Sequence, residues 1–494
     1  MKYFICFIIG GIYTLSFSPY NISIFSIFSI TIFLLLLDLD ELKSSILKSL
    51  YFALGYFSIG TYWLKNVITY YADINYILTI LLVILFTLYL SLFFVLPVLI
   101  TSFFRRKINI KKNYSLVLLA LLITIFEIAR SNLFTGYSWL NFGQAAINTP
   151  FENFFPIFGV HGLTFIIFMT SIILINIFKN KDSYFFMSLA VLVFIGCASV
   201  YNKNWTDKTD NIINVSIIQP NIKNKRSYSD EDVIARMKIL KELTSYSISF
   251  SPDIILWPEA PLPIVYNDLK ESFYKEILEE IPQSTSLVTG TFTRDGNFIY
   301  NSIVNASAKT KNIYNKAHLV PFGEFLPLRN ILDSTYDYIG LNVYDIKNGS
   351  EKKSLKIGSY TAHSLICYES IFSFESLITD KDIDFILNVS NDGWFGDDTL
   401  APYQHLDALV MRSLENERYS IRSTNTGISA IIAPDGKIQD FIKYNERGII
   451  NKEIYARNGK TPLSIYGYDI LYFLLFTVFL YSTIYFNFSS FKRL

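Results

Sequence analysis

Apolar residues gather in long runs at one part of the chain and alternate with polar ones in another. Seven apolar runs come first, over residues 3–18, 22–37, 50–64, 77–99, 116–129, 156–178 and 184–200, and an eighth covers 470–486. A helix that spans a bilayer needs about 20 mostly apolar residues. Some of the runs are nearer to about 16, short for a full span, so short spans or helices dipping into the interface belong among the expectations. Eight such runs do not fit a globular core, and the pattern predicts eight membrane helices. The first is read as a retained helix: a second run follows at once and no A-x-A cleavage site is visible.

Between about 210 and 460 the pattern changes. Strand-like runs at 214–219, 253–257, 286–291, 361–367, 384–389 and 427–433 alternate with helical stretches at 230–247 and 402–419, which predicts one α/β domain. The division expected is a seven-helix membrane domain over 1–204, a catalytic domain over 205–465, and an eighth helix with a tail over 466–494.

Composition agrees with this split. Of the 494 residues 51% are hydrophobic and 17% charged, and the mean hydropathy is +0.33. The net charge of +1 gives no basic field for nucleic acid. Charge in the joints sets the expected topology. With the N-terminus in the cytoplasm, the cytoplasmic side collects Lys2, Lys43, Lys48, Arg105, Arg106, Lys107, Lys111, Lys112, Lys179, Lys181, Lys492 and Arg493, against Lys65 and Arg130 in the short outer segments. Seven spans then place the α/β domain outside the cytoplasm. Glu127 and Arg130, three apart near the end of the fifth run, can pair on one helix face, which outweighs a lipid-headgroup role. A transporter would need more ionisable residues within its spans.

Of three cysteines, Cys6 and Cys197 fall in predicted helices, and only Cys367 lies in the α/β domain, so no disulfide can form within that domain. Cys367 closes an apolar strand, Ser364-Leu365-Ile366-Cys367-Tyr368-Glu369-Ser370, and strand ends are where an α/β sheet presents reactive groups. A nucleophilic thiol needs a base and a group to hold a developing oxyanion. Ile254-Ile255-Leu256-Trp257-Pro258-Glu259-Ala260-Pro261 ends another strand in a carboxylate, and Tyr314-Asn315-Lys316-Ala317-His318-Leu319-Val320-Pro321-Phe322-Gly323-Glu324-Phe325 carries a lysine. Alone, Glu259 reads as a solvated acid and Lys316 as a surface lysine; in this order with Cys367 they form a rarer set. His161, His318, His363 and His405 show no metal-ligand spacing. Asp392-Gly393-Trp394 reads as a turn shaping the pocket.

Glu259, Lys316 and Cys367 with these flanks resemble the Glu-Lys-Cys triad of the nitrilase superfamily. The segments Asn388-Val389-Ser390-Asn391-Asp392-Gly393-Trp394-Phe395-Gly396 and Arg422-Ser423-Thr424-Asn425-Thr426-Gly427 strengthen the likeness. His318 to Phe325, Cys367-Tyr368-Glu369, Phe17-Ser18-Pro19-Tyr20 and Leu133-Phe134-Thr135-Gly136 are similar to marks of the apolipoprotein N-acyltransferases within it. Family members carry a tryptophan where this chain has Tyr228 after Asn221-Ile222, which puts the role of that loop in substrate contact in doubt.

The resemblance implies a multi-span α-helical membrane bundle joined to an α/β nitrilase-like αββα sandwich, in the bacterial inner membrane with the catalytic domain on the periplasmic side. It implies ping-pong transfer of a phospholipid sn-1 acyl chain, through a Cys367 thioester, to the α-amino group of a diacylglyceryl apolipoprotein. Glu259 would be the base. Lys316 and the Tyr368 N–H would hold the oxyanion, with Glu324 and Glu369 in support. No metal or cofactor is expected; the partners are the bilayer and the two lipid substrates, and the chain is expected to be a monomer. The alternative is a membrane-anchored carbon–nitrogen hydrolase acting on a small amide or nitrile. A scaffold that kept only the nitrilase shape is a further rival.

Overall fold

The computed structural model describes residues 1–72, 75–108, 110–178, 183–201, 203–225, 227–308, 312–338, 343, 345–350, 352–380, 382–396 and 400–491. They form two compact units: Met1–Lys65, Tyr76–Lys203 and Ile465–Leu494 in one, and Asn66–Asn75 with Asn204–Ser464 in the other. The basic residues Lys179, Lys181, Lys492 and Arg493 lie outside the described residues.

The first unit is helical. Every predicted apolar run overlaps a helix: Lys2–Tyr13, Ile24–Leu36, Leu42–Gly60, Tyr76–Ile108, Lys112–Arg130, Phe155–Phe178, Ser183–Val200 and Asp469–Phe491. Length sorts them, as the short runs led one to expect. Among the described residues, three segments, Tyr76–Lys107, Lys112–Arg130 and Pro150–Phe178, are long and apolar enough to cross a membrane, while Lys2–Ser16, Ile24–Leu36, Phe185–Val200 and Asp469–Tyr485 are shorter. A 13-residue helix such as Ile24–Leu36 rises only about 20 Å against a hydrocarbon core of about 30 Å. The third run lies in Leu42–Gly60, a helix that also carries Lys43 and Lys48. The helices pack closely where side chains are small. A Cβ on Gly10 would collide with the Phe52 carbonyl, and one on Gly55 with that of Phe7, the close approach typical of helices in lipid.

Glu127 and Arg130 are both buried, but their direct contact is loose, with Arg130 Nη2 3.8 Å from Glu127 Oε1. Arg130 chiefly serves the segment after its helix. Nη1 donates to Tyr137 O (3.0 Å) and Trp139 O (2.6 Å), and Nη2 to Leu140 O (3.1 Å) and Asn141 Oδ1 (2.9 Å). Glu127 accepts from the Phe142 N–H at 2.7 Å and from the Thr164 hydroxyl. The pair therefore folds a loop, and its polar groups are satisfied inside the unit as lipid surroundings demand. On the basic side, Arg105 Nε lies 2.7 Å from Asp40 Oδ1.

The second unit is a sandwich of two six-stranded sheets. The strands are β1 (Thr206–Gln219), β2 (Ile254–Trp257), β3 (Ser286–Asp295), β4 (Phe298–Asn305), β5 (Ile313–Asn315), β6 (Ser354–Ile357), β7 (Tyr360–Ile366), β8 (Phe385–Ser390), β9 (Ser420–Thr424), β10 (Ser429–Ile432), β11 (Ile438–Ile442) and β12 (Gly448–Gly459). Their orders are β12-β1-β2-β3-β4-β5 and β11-β10-β9-β8-β7-β6. In the first sheet β1, β2 and β3 run parallel, and in the second β7, β8 and β9 do.

Strand periodicity decides which residues face which layer. In β2, Ile254 and Leu256 join Val215, Ile217, Leu387, Val389 and Ile421 in the core between the sheets. Ile255 and Trp257 point the other way, into a second core with Leu240 of helix Asp230–Ile248 and with Tyr274. Both faces of the parallel strands are covered, which is why they read as continuous apolar runs. Helix Asp230–Ile248 starts on a capping box between Ser229 and Asp232. Helix Ala401–Asn416 is buried along almost its whole length. The strands that escaped the sequence pattern, β4, β5, β6, β9, β11 and β12, are short or rich in polar residues.

Candidate active site

The proposed site residues come from the ends of β2, β5 and β7. Beyond β2 the backbone keeps pairing with β3: the Gly290 N–H donates to Pro258 O (3.2 Å) and the Ala260 N–H to Gly290 O (3.1 Å). Only glycine allows this approach, since a Cβ at 290 would lie 2.6 Å from Glu259 Cα. Glu259 is thereby turned into the interior and is 7% exposed.

Lys316 follows β5 directly. Its N–H donates to Asn301 O (2.8 Å) and its carbonyl accepts from the Gly349 N–H (2.7 Å). The side chain is 1% exposed and Nζ lies 2.8 Å from Glu324 Oε2. Glu324 Oε2 also accepts from the Val320 N–H at 2.7 Å, which closes the turn carrying it.

Asn301 of β4 links the two acids. Its Nδ2 donates to Glu259 Oε1 at 2.7 Å and to Glu324 Oε1 at 2.8 Å. Both amide protons are thus spent on carboxylates, while the buried Oδ1 has no hydrogen-bond partner. The sequence does not single out Asn301, because β4, Phe298-Ile299-Tyr300-Asn301-Ser302-Ile303-Val304-Asn305, is neither a continuous apolar run nor a clean alternation, and nothing in its flanks marks the position.

Cys367 ends β7 in the left-handed region, with φ +49°. A non-glycine residue there stores backbone strain, which persists where surrounding contacts fix it. The thiol is half-buried and feels both partners. Burial pushes it well above an ordinary cysteine, Glu259 and Asp392 push the same way, and Lys316 pulls it down. Burial also raises Glu259; Lys316 opposes this, Glu324 adds to it, and the amides of Asn301 and Asn391 oppose it. Burial alone would lower Lys316, but Glu324, Glu259 and Cys367 together hold it above the usual lysine value, so it stays a cation. The surroundings thus favour the neutral thiol at Cys367 and the ammonium at Lys316, and raise the proton affinity of Glu259.

Glu369 is fully buried and touches none of the three. Its Oε2 accepts from the Ile366 N–H (2.7 Å), and its Oε1 from the Tyr314 hydroxyl (2.6 Å), the Ala317 N–H (2.9 Å) and Lys353 Nζ (3.3 Å). It joins the strand that carries Lys316 to the loop that carries Cys367. Burial would raise its carboxyl, but Lys353 and these donors hold it below the ordinary value. Tyr368 packs its ring edge-on to Phe372 (5.0 Å) and to His318 (5.6 Å). Of the histidines, His318 Nδ1 meets Glu375 Oε1 at 2.6 Å. Burial and Lys353 lower His363 to about 3. Tyr228, in the place of the expected tryptophan, lies with the Arg236 guanidinium 4.3 Å above its ring. Asp392, read from sequence as a turn residue, is fully buried and paired with Arg422 at 2.8 Å.

The two-sheet sandwich coincides with the match to the family model described as carbon–nitrogen hydrolase, over residues 214–459. The model described as the apolipoprotein N-acyltransferase N-terminal domain matches residues 9–173. An apolipoprotein N-acyltransferase of Wigglesworthia glossinidia brevipalpis is 31% identical over 483 residues, covering 94% of each chain. One of Haemophilus influenzae is 31% identical over 491 residues, 95% of this chain and 92% of that one. One of Coxiella burnetii is 30% identical over 97% of this chain and 100% of its own. A solved structure of a carbon–nitrogen hydrolase superfamily protein from Xanthomonas campestris covers 49% of this chain and 91% of that one, at 13% identity and a TM-score of 0.36. The chain belongs to the apolipoprotein N-acyltransferase family.

Proposed function

We propose that the chain N-acylates the α-amino group of the N-terminal diacylglyceryl-cysteine of apolipoproteins, taking the sn-1 acyl chain of a phospholipid through a thioester on Cys367. The observation that carries the reading is the chain of contacts from Glu259 through Asn301 and Glu324 to Lys316, with Cys367 within electrostatic reach of Glu259 and Lys316.

In the first step Glu259 takes the thiol proton as sulfur attacks the ester carbonyl. The tetrahedral oxyanion is held by Lys316 and the Tyr368 N–H. Collapse breaks the C–O bond, and the proton on Glu259 passes to the departing lysophospholipid alkoxide. In the second step the lipoprotein amine attacks the thioester and Glu259 receives its proton. The C–S bond then breaks, and Cys367 is recovered as the thiol when that proton returns to sulfur. Two easier steps replace one direct transfer. Glu324 fixes the ammonium, and Glu369 positions the loop without entering the chemistry.

The basic residues from Lys2 to Arg493 that gather on one side of the spans support a multi-pass protein of the bacterial inner membrane, with residues 205–465 outside the cytoplasm. The partners are then the bilayer, a phospholipid donor and a diacylglyceryl apolipoprotein acceptor, and the chain acts as a monomer. A donor lipid kept in the bilayer avoids exposing its chain to water, at about 0.8 kcal/mol per CH₂. The test is Cys367→Ala in a lipoprotein N-acylation assay: activity is lost while the protein still inserts, and near-normal activity refutes the mechanism.

A further inference from the structure

Beneath the nucleophile lies a buried ion-pair network that the triad does not use. Asp392 and Arg422 are fully buried and joined at 2.8 Å. Arg422 also donates to Asn388 Oδ1 at 2.5 Å and to Ile428 O at 3.2 Å. Asn388 Nδ2 donates in turn to Leu365 O in β7 at 3.0 Å. Asp392 Oδ1 accepts from the Ser390 hydroxyl at 2.8 Å. His405, from helix Ala401–Asn416, sits between this network and the nucleophile. Its Nδ1 lies 2.9 Å from Asp392 Oδ1 and 3.1 Å from Arg422 Nη2, and its Nε2 lies 3.0 Å from the Cys367 carbonyl oxygen.

A carbonyl oxygen only accepts, so Nε2 carries the proton of that bond. The Ser370 hydroxyl donates to the same oxygen at 3.0 Å. The Cys367 carbonyl is therefore fixed by two donors, although its residue has the left-handed φ of +49°. The peptide bond is planar and trans, so the Tyr368 N–H points opposite to the Cys367 carbonyl. Whatever fixes that carbonyl on the His405 side aims the N–H at the other side of the same plane.

We propose that His405, set against the buried Asp392–Arg422 pair, is a positioning residue that aims the Tyr368 N–H at the oxyanion of the acyl-transfer step. The proposal rests on the thioester reading above, since it assigns His405 a role through the donor which that reading uses. A hydrogen bond at the carbonyl also polarises the peptide and strengthens its N–H as a donor. Loss of His405 should slow steps that pass through a tetrahedral oxyanion and spare reactions of the thiol that do not.

Two reactions of the purified full-length protein separate these effects. One is formation of the acyl adduct at Cys367 from phospholipid, followed by mass spectrometry. The other is alkylation of Cys367 by iodoacetamide, a displacement at carbon that forms no oxyanion. His405→Leu is expected to slow acylation about 100-fold, the scale of a lost oxyanion donor, with alkylation unchanged. His405→Gln keeps an N–H donor and is expected to recover most of the acylation rate. Acylation by His405→Leu at the wild-type rate overturns the proposal. So does an equal loss of both reactions in both variants, which assigns His405 to folding alone. If the wild type turns over without ever forming the adduct, the thioester reading fails first and takes this proposal with it; Cys367→Ala then remains active, which marks that failure as different from the others.

Discussion

Replacing Lys316 with methionine keeps an unbranched stem in a buried position and removes the ammonium. In the resting site that ammonium stands 2.8 Å from Glu324 and interacts with Glu259 and Cys367. During acylation a further negative charge develops on the substrate oxygen. Two unit charges about 4 Å apart, at an effective dielectric of about 20, interact by about 4 kcal/mol. An oxyanion that carries most of a charge therefore loses about 3–4 kcal/mol, or about 10²–10³ in rate. The substitution also leaves Glu259 and Glu324 joined through Asn301 with no ammonium beside them. Removing one partner of a buried pair costs about 3–5 kcal/mol, so a stability loss accompanies the rate loss and has to be separated from it. Lys316→Met/Glu324→Gln does this, because it removes the unbalanced carboxylate as well. Single-turnover acylation of Cys367 by phospholipid gives the rate, and thermal unfolding in the same detergent gives the stability. The double variant is expected to regain stability over the single one while staying about 10²-fold or more slower than wild type. A double variant with the wild-type rate would show that Lys316 only balances charge.

Other outcomes follow from the same contacts. In the proposed mechanism acylation requires ionised Glu259, whose carboxyl is raised by burial, so the rate should climb with pH through that raised value. Glu324 contributes to the rise, and Glu324→Gln should move the inflection in the pH–rate profile to lower pH; a shift upward contradicts the assigned electrostatics. Arg130→Met leaves the carbonyls of Tyr137, Trp139 and Leu140 without their donor. At about 1–3 kcal/mol per unsatisfied buried group, proteolysis within residues 131–155 should become markedly faster in detergent, and an unchanged cleavage rate refutes the structural role. Asp392→Asn removes the charge facing Arg422 and should lower the unfolding temperature, by up to about 3–5 kcal/mol of stability.

Much of this was legible in the chain. Apolar runs located eight helices because hydrophobicity in lipid is a local property of sequence. They did not give span lengths, since a run such as 3–18 counts residues beyond the end of its helix at Tyr13. The buried parallel strands β2, β7 and β8 stood out because both their faces are covered, and their ends carried Glu259, Cys367 and Asp392. β4 did not stand out, and Asn301 went with it; Arg422 was marked as part of a motif, while its pairing with Asp392 was not visible. Asn301 matters through two carboxylates 42 and 23 positions away, and His405 through a carbonyl 38 positions before it. Strand order creates those contacts. The departure at Tyr228 was visible as a residue type, while the Arg236 guanidinium above its ring was not.

The central claim is that the acyl chain rests on one sulfur. Incubating the full-length protein with phospholipid and no acceptor, then mapping the adduct by peptide mass spectrometry, tests it most directly. The expected result is an acyl group on Cys367, one lysophospholipid released per adduct, and discharge of the adduct when a diacylglyceryl peptide with a free α-amino group is added. Turnover of both substrates with no adduct on Cys367 at any time would contradict it.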